Sequence, residues 1–184
     1  MKRVVYLWIA FLTLILMSAC GSKDEKYDDK VVETADMEFL TDDQSYFYME
    51  TKRGGIPVLL VTEGTYRCDE LDVGFYCNVY CSEEGAWRVL GQVAGSGTAY
   101  PLRYDENGIY AAGGHFIAYY SVDAEKKQLV EKEYAEELFD DNGNVTYIHY
   151  MDGEREQVVE DDRYFLAMLE KYGKAEIVNF SAAF

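Results

Sequence analysis

From Ser45 onward, apolar and polar side chains alternate along short segments, and each segment ends at residues typical of tight turns. A period of two places successive side chains on opposite faces of a strand, so the alternation favours strands buried on one face. The connections are too short for repeated crossover helices. The pattern therefore predicts a mainly β fold: an antiparallel meander of about nine or ten strands, arranged as a curved sheet or a propeller-blade-like unit.

Two hairpins are marked most clearly by their turns. VGFYCNVYC is followed by the turn SEEG and then by AWRVLGQV. AYPLRY and GIYAAGG flank DENG, in which Asn107-Gly108 is a strong hairpin signal. Further turns are expected at Gly54-Gly55, DAEKKQ, DDNGN and DGE.

One helix is expected near the C-terminus, in EDDRYFLAMLEKYG. Asp161 and Asp162 suit the positive N-terminus of this helix, and Gly173 suits the position after its end. A short helix near Val31–Phe39 and a last strand at AEIVNF are also predicted. The apolar stripe of the C-terminal helix recurs at i, i+3, i+4 and i+7, as Phe165, Met168, Leu169 and Tyr172.

The N-terminus combines a short positive start with an apolar run. Lys2 and Arg3 precede Val4–Met17, which is too short to span a membrane and suits the core of a signal peptide. Ser18-Ala19 then precede Cys20, and this arrangement resembles the bacterial lipobox, with Met17 where leucine is usual. The resemblance implies a lipid on Cys20. An ordinary secretory signal or an uncleaved anchor helix is the alternative.

These features predict three regions. Residues 1–19 form a lipoprotein signal peptide, and residues 20–35 form the lipidated cysteine and a flexible acidic tether. Residues 36–184 form a single β-rich extracytoplasmic domain, large enough for a hydrophobic core. The expected location is the cell membrane, where the lipid anchors the protein on the extracytoplasmic face.

The charge of the chain limits its partners. Removing residues 1–19 takes away two basic residues and no acidic one, which leaves 15 basic and 34 acidic side chains and a net charge of −19. Such a surface repels phosphate backbones and anionic headgroups, so nucleic acid is excluded as a partner. The expected partners are the membrane, through the lipid on Cys20, and envelope carbohydrate or protein.

Three cysteines remain after the lipobox: Cys68, Cys77 and Cys81. On one strand, Cys77 and Cys81 would be about 13 Å apart, too far for a disulfide with each other. An internal bridge would therefore use Cys68. Burial as small apolar side chains, a Cys68 disulfide and a metal site all stay open.

The segment FYCNVYC carries a candidate binding surface. Alternation places Phe75, Cys77, Val79 and Cys81 on one face and Tyr76, Asn78 and Tyr80 on the other. The second face has the composition of a carbohydrate-stacking platform, and equally that of a wet sheet surface.

The segment YFYMETKRGGIPVLLVTEG resembles one in secreted and lipid-anchored proteins of gut Firmicutes, most of them uncharacterised. In that family the strand leads into a D-x-D-x-D-G-x-x-E-L loop, as in calcium-loop repeats of FG-GAP and dockerin kind. NVYC, GGHFIAYY, YMDGEREQVV and DDRYFLAMLEKYG follow in the same order, over residues 45–175. The resemblance implies a mostly β fold without an agreed activity.

The calcium loop of this family is degenerate in the present chain. Glu50 keeps the first carboxylate, whereas Lys52, Gly54 and Val58 replace the other ligand positions. Calcium takes six to eight oxygen ligands, so no metal is expected here.

Catalytic residues are not marked by any motif. His115 follows two glycines in GGHFIAYY, and Ser96 lies in GSG, which lacks the context of a nucleophile elbow. His149 alternates with Tyr147, as on a sheet surface. We therefore assign no catalytic residue, no cofactor and no metal. The predicted function is a non-enzymatic binding or scaffold domain of the cell envelope, with Tyr76, Asn78, Tyr80 and His115 as possible binding residues; the alternative is a small extracytoplasmic hydrolase with a site near His115.

Overall fold

The computed structural model describes residues 37–50, 56–154 and 157–184. The predicted signal peptide, Cys20, the tether, and the loop positions Lys52 and Gly54 lie outside these ranges. No helix within the described ranges has the length and apolar character needed to cross a bilayer.

Fourteen strands and one helix occur in the described part of the chain. The helix is α1 (Arg163–Lys174). The strands are β1 (Ser45–Glu50), β2 (Pro57–Thr62), β3 (Tyr66–Cys68), β4 (Leu71–Val73), β5 (Tyr76–Glu83), β6 (Ala86–Ala94), β7 (Arg103–Asp105), β8 (Gly108–Ala112), β9 (Phe116–Asp123), β10 (Gln128–Phe139), β11 (Val145–Met151), β12 (Gln157–Val159), β13 (Glu176–Ile177) and β14 (Ser181–Ala182).

The strands form three antiparallel sheets. A five-stranded sheet has the order β14-β1-β2-β5-β6, a seven-stranded sheet has the order β12-β11-β10-β9-β8-β7-β13, and β3 pairs with β4. The predicted class, mainly β and antiparallel with one C-terminal helix, is confirmed. The strand count exceeds nine or ten because six strands have only two or three residues, too few to show alternation.

The main core lies between the two large sheets. Met49, Val58 and Val79 of the five-stranded sheet meet Ile109 and Ala111 of the seven-stranded sheet in one buried cluster. At the ends of the strands, Lys127 in the β9–β10 turn donates a hydrogen bond to Glu83 of β5, and this bond lowers the pKa of Glu83. The sheets therefore pack face to face through alternate side chains.

Helix α1 covers the other face of the seven-stranded sheet. Phe165, Met168 and Tyr172 are buried there, as predicted, whereas Leu169 lies on the flank and is 39% exposed. Gly173 lies within the helix and not after it. The reason is Arg103, whose guanidinium donates to the Ala175 carbonyl at 2.8 Å and to the Gly173 carbonyl at 3.4 Å, so the last turn is satisfied without a glycine cap.

The outer face of the five-stranded sheet is covered by the N-terminal segment, residues 37–44. Leu40 is buried there against Leu59 and Val61 of β2. Residues 37–40 form a turn closed by the Leu40 N–H and the Met37 carbonyl at 2.9 Å, so this part of the predicted short helix is not helical.

The C-terminal segment connects the two large sheets. The predicted strand AEIVNF is a strand only at β13, which pairs with β7; β14 follows directly after it and pairs with β1 in the other sheet. Val178 and Phe180 lie between them in the main core, where their N–H groups donate to Leu102 and Asp72. Crossing from one sheet to the other prevents this segment from forming one strand.

Both predicted hairpins are present. The β5–β6 turn has positive φ at Glu84 (52°) and Gly85 (82°), as a tight hairpin turn requires. In the β7–β8 hairpin, Asp105 pairs with Gly108, so Gly108 begins the strand. A Cβ on Gly108 would lie 2.1 Å from the Tyr120 carbonyl oxygen, so close backbone approach explains this glycine.

Candidate functional site

A carboxylate bridges two tyrosines on the helix-facing side of the seven-stranded sheet. Asp105 Oδ2 accepts a hydrogen bond from the Tyr110 hydroxyl, and Asp105 Oδ1 accepts one from the Tyr119 hydroxyl, each at 3.1 Å. Oδ1 also accepts the N–H groups of Asn107 and Gly108 at 2.8 and 3.0 Å. Burial and the negative charge of Asp105 raise the pKa of Tyr110. Asp105 therefore holds both the turn and the two phenols in place.

A second polar cluster joins β10, β11 and α1. Glu133 Oε1 lies 3.4 Å from His149 Nε2, and Glu133 Oε2 accepts a hydrogen bond from Lys171 Nζ at 2.6 Å. The Tyr164 ring stacks on the imidazole, with centroids 4.1 Å apart and an interplanar angle of 11°. His149 is only 9% exposed, so the cluster orders the helix on the sheet and leaves no room for a substrate at the imidazole.

The two clusters belong to one surface. Tyr119 of β9 and Glu133 of β10 are paired in the sheet, and paired residues of antiparallel strands lie on the same face. We call this row the polar strip, and its members are Asp105, Tyr110, Tyr119, Glu133, His149 and Lys171.

A groove of about 300 Å³ adjoins the polar strip at Tyr119. Lys132 is the extra residue of a β-bulge between Glu131 and Glu133, and bulges commonly redirect a side chain towards a site. Its Nζ also lies 2.9 Å from Asp152 Oδ1. The polar residues that line the groove are Asn107, Tyr119, Ser121, Asp123, Glu125 and Lys132.

Asp123 is the most firmly held acid of the groove. Its Oδ1 accepts the N–H groups of Lys126 and Glu125 at 3.0 and 3.1 Å. These bonds, that of Lys126 foremost, lower the pKa of Asp123, which stays ionised. The groove thus offers fixed acceptors beside the amide, hydroxyl and ammonium donors of its walls, a set suited to a small ligand with many hydroxyl or amide groups.

The predicted surface on β5 has the expected alternation but is partly covered. Cys77, Val79 and Cys81 are buried, and Tyr76, Asn78 and Tyr80 are half-buried on the other face. The N-terminal segment places the Phe39 ring against Tyr80, with centroids 5.3 Å apart. Phe75 packs edge-on against Tyr76 at 5.6 Å.

His115 lies in the connection between β8 and β9 of the seven-stranded sheet and is therefore separate from the β5 surface. Its side chain is 63% exposed, with Nδ1 3.4 Å from Glu137 Oε2. The Phe139 ring meets the imidazole edge-on at 5.0 Å. Ser96 anchors a neighbouring turn, where its N–H donates to the Ala112 carbonyl at 2.9 Å. The hydrogen bonds of the described residues do not join Ser96 to His115.

Cys77 and Cys81 agree with burial as small apolar side chains, whereas Cys68 is only half-buried. Cys68, Cys77 and Cys81 are all free. Cys77 and Cys81 are buried on the same face of β5, and burial raises the pKa of both thiols. The described residues include no group of three or more His, Cys, Asp or Glu side chains placed to bind a metal.

The polar strip was not visible in the sequence, because its six residues come from six different elements and form no motif. The one usable signal was His149, whose alternation with Tyr147 pointed to a wet sheet surface. The structure instead places the imidazole beneath Tyr164.

No protein-family model, no curated protein and no solved structure matches this chain. The geometry of the groove and of the surfaces around it is therefore the basis for proposing a function.

Proposed function

We propose that this chain is a lipid-anchored, extracytoplasmic binding domain of the cell envelope and that its ligand site is the groove beside Tyr119. The lipobox-like sequence at Cys20 and the acidic tether support the anchoring. The groove, with polar walls contributed by β9, β10 and two turns, is the observation that carries the binding function.

The ligand class follows from the groove's side chains. The groove and its ion pairs hold three carboxylates, those of Asp123, Glu125 and Asp152, against two ammonium groups, those of Lys132 and Lys126. This balance repels anionic ligands. Asn107 and Ser121 add neutral hydrogen-bonding groups, so the preferred ligand is uncharged or cationic and rich in hydroxyl groups, as a neutral or amino saccharide is.

A platform of exposed tyrosine rings is less favoured than the groove. On β5, Tyr80 is in contact with Phe39. On the other sheet, Tyr134 stacks between Phe116 and Tyr150, at centroid distances of 6.1 and 5.2 Å. Rings stacked on one another present edges and not faces, whereas a sugar stacks on an open face.

A glycan array carrying neutral, amino and carboxylated saccharides tests the ligand class. We expect binding to neutral or amino saccharides and none to carboxylated ones. Asn107→Ala removes one groove hydrogen bond and should weaken binding about threefold to tenfold. Asn142→Ala, in the turn between β10 and β11, is the matched control and should bind as the wild type does. Absence of binding, or equal losses in both variants, contradicts the assignment.

Metabolic labelling with a palmitate analogue tests the anchoring. The wild type should carry the label, and Cys20→Ala should not. A label that persists in Cys20→Ala contradicts lipidation at this cysteine.

A further inference from the structure

Two Asn-Gly pairs lie in turns of the seven-stranded sheet. Asn107-Gly108 lies in the β7–β8 hairpin, and Asn142-Gly143 lies in the turn between β10 and β11. In such a pair the main-chain nitrogen of glycine can attack the side-chain amide carbon of asparagine, and glycine hinders the attack least because it has no side chain. The sequence therefore offers two positions for this reaction, and the surroundings of each glycine distinguish them.

The reaction converts asparagine into an acid without an enzyme. A bond forms between the glycine nitrogen and the asparagine Cγ, and the bond from Cγ to the side-chain nitrogen breaks, so that ammonia leaves and a cyclic succinimide remains. Water then opens either carbonyl of the succinimide and gives aspartate or isoaspartate. The glycine nitrogen must give up its proton before or during the attack, so the hydrogen bond made by the glycine N–H controls the rate.

The Gly108 N–H is held by a charged group. It donates to Asp105 Oδ1 at 3.0 Å, and loss of its proton would place a second negative charge beside this carboxylate. Gly108 is also buried and pairs with Asp105 in the ladder, and a Cβ on it would lie 2.1 Å from the Tyr120 carbonyl oxygen. Asn107 is therefore protected by its neighbours although it is itself exposed.

The Gly143 N–H is held by a neutral group in an exposed turn. It donates to the main-chain carbonyl of Asp140 at 3.0 Å, whereas the Asp140 carboxylate accepts the N–H groups of Asn142 and Asn144. Asn142 and Gly143 are both exposed, and no described atom lies within 4 Å of the Cβ position of Gly143. This turn can exchange its hydrogen bond with water without opening the sheet.

The three other asparagines are followed by bulky residues, as Asn78-Val79, Asn144-Val145 and Asn179-Phe180. A branched or aromatic side chain after asparagine hinders the approach of the nitrogen to Cγ. Asn144 lies in the same turn as Asn142, so it reports what exposure alone does when glycine does not follow.

We propose that Asn142 is a site of spontaneous deamidation and that the bond from Gly108 to Asp105 protects Asn107 from the same reaction. Deamidation adds one negative charge to the β10–β11 turn, and its isoaspartate product lengthens the backbone there by one carbon atom. The amide of Asn107, which lines the groove, is retained. The inference does not depend on the binding function proposed for the groove.

The test incubates full-length protein in neutral detergent at mildly alkaline pH and follows each asparagine by peptide mapping with mass spectrometry. In the folded protein, Asn142 should react at least about tenfold faster than Asn107. Asn144 should react more slowly than Asn142 by a similar factor. In urea the two Asn-Gly pairs should react at similar rates, because the folded surroundings that distinguish them are gone.

The protecting role of the carboxylate is tested by Asp105→Asn, which removes the charge and keeps one side-chain oxygen. Deamidation of Asn107 should become at least about threefold faster in this variant, while the rate at Asn142 stays unchanged. Glu170→Gln, an equal change of charge on the exposed side of α1, is the matched control and should alter neither rate. The wild-type comparison needs no variant to fold.

Three results overturn the proposal. Equal rates at Asn107 and Asn142 in the folded wild type show that the structure does not distinguish the two pairs. A folded protein in which Asn142 stays intact while the urea-unfolded chain reacts shows that the exposed turn is protected as well. An unchanged rate at Asn107 in Asp105→Asn shows that the carboxylate does not protect this position.

Discussion

The two large sheets each carry tyrosines on their outer face, yet the faces differ in what the rings do. On the five-stranded sheet, Tyr46, Tyr48 and Tyr80 pack around Leu40 of the N-terminal segment. On the seven-stranded sheet, the Tyr110 and Tyr119 hydroxyls bind Asp105 beside an open groove. Tyrosine thus packs against an apolar segment on one sheet and donates hydrogen bonds to a carboxylate on the other.

The neighbours of the rings explain the difference. Leu59 and Val61 make the first face aliphatic, so an apolar segment of the same chain covers it. On the second face, Asp105 and Glu133 are acceptors that need donors, and tyrosine hydroxyls and Lys171 supply them. The residues of one strand alone therefore do not determine whether a sheet surface that carries tyrosines is covered or remains open to a ligand.

The largest loss of stability is expected where α1 packs on the outer face of the seven-stranded sheet. Met168→Ala removes a fully buried side chain between α1 and the sheet and should lower the free energy of unfolding by about 3–5 kcal/mol. The melting temperature should fall by about 6–20 °C in calorimetry. Leu169→Ala, on the exposed flank of the same helix, should cost under about 1 kcal/mol. Similar losses in both variants contradict the burial of this helix face.

A smaller loss of stability is expected where the N-terminal segment, residues 37–44, covers the five-stranded sheet. Leu40→Ala should lower the free energy of unfolding by about 2–3 kcal/mol, because the cavity lies under a surface segment that can relax. Amide exchange in residues 37–44 should speed up, while exchange in α1 stays unchanged. Unchanged exchange in residues 37–44 indicates that the segment does not depend on Leu40.

The polar strip is tested by Asp105→Ala, which removes the acceptor of two tyrosine hydroxyls and two backbone N–H groups. The free energy of unfolding should fall by about 1–3 kcal/mol in denaturant titrations. Asp105→Asn keeps one side-chain oxygen and should lose about half as much. Full stability in Asp105→Ala shows that water replaces the carboxylate at no cost.

The smallest effect concerns alkaline pH. Tyr110 has a raised pKa in the folded protein, so its stabilising contribution is complete below about pH 10, the unfolded pKa, and is lost as the pH rises above that value towards the folded pKa. Stability should therefore fall more steeply above pH 10 in the wild type than in Tyr110→Phe. Parallel pH profiles from pH 9 to 11 contradict this account.

Local patterns in the sequence identified the hairpins and the buried side of α1, because alternation and turn residues act over a few neighbours. The buried and half-buried faces of β5 were predicted correctly from the two-residue period of a strand alone. The division into two sheets did not, since it depends on Val178 and Phe180 crossing from one sheet to the other. The polar strip was missed for the same reason: Asp105, Glu133 and Lys171 meet only through sheet register and helix packing.

The pairing of β1 with β14 sets the order in which the molecule can assemble. Ser45 and Ala182 are register partners although 137 residues separate them, and contacts between such distant positions form slowly. The strands β1, β2, β5 and β6 can pair with one another without the C-terminal segment, whereas the sheet is completed only when residues 181 and 182 reach β1. Closure of this sheet by β14 is therefore a late, long-range step of folding.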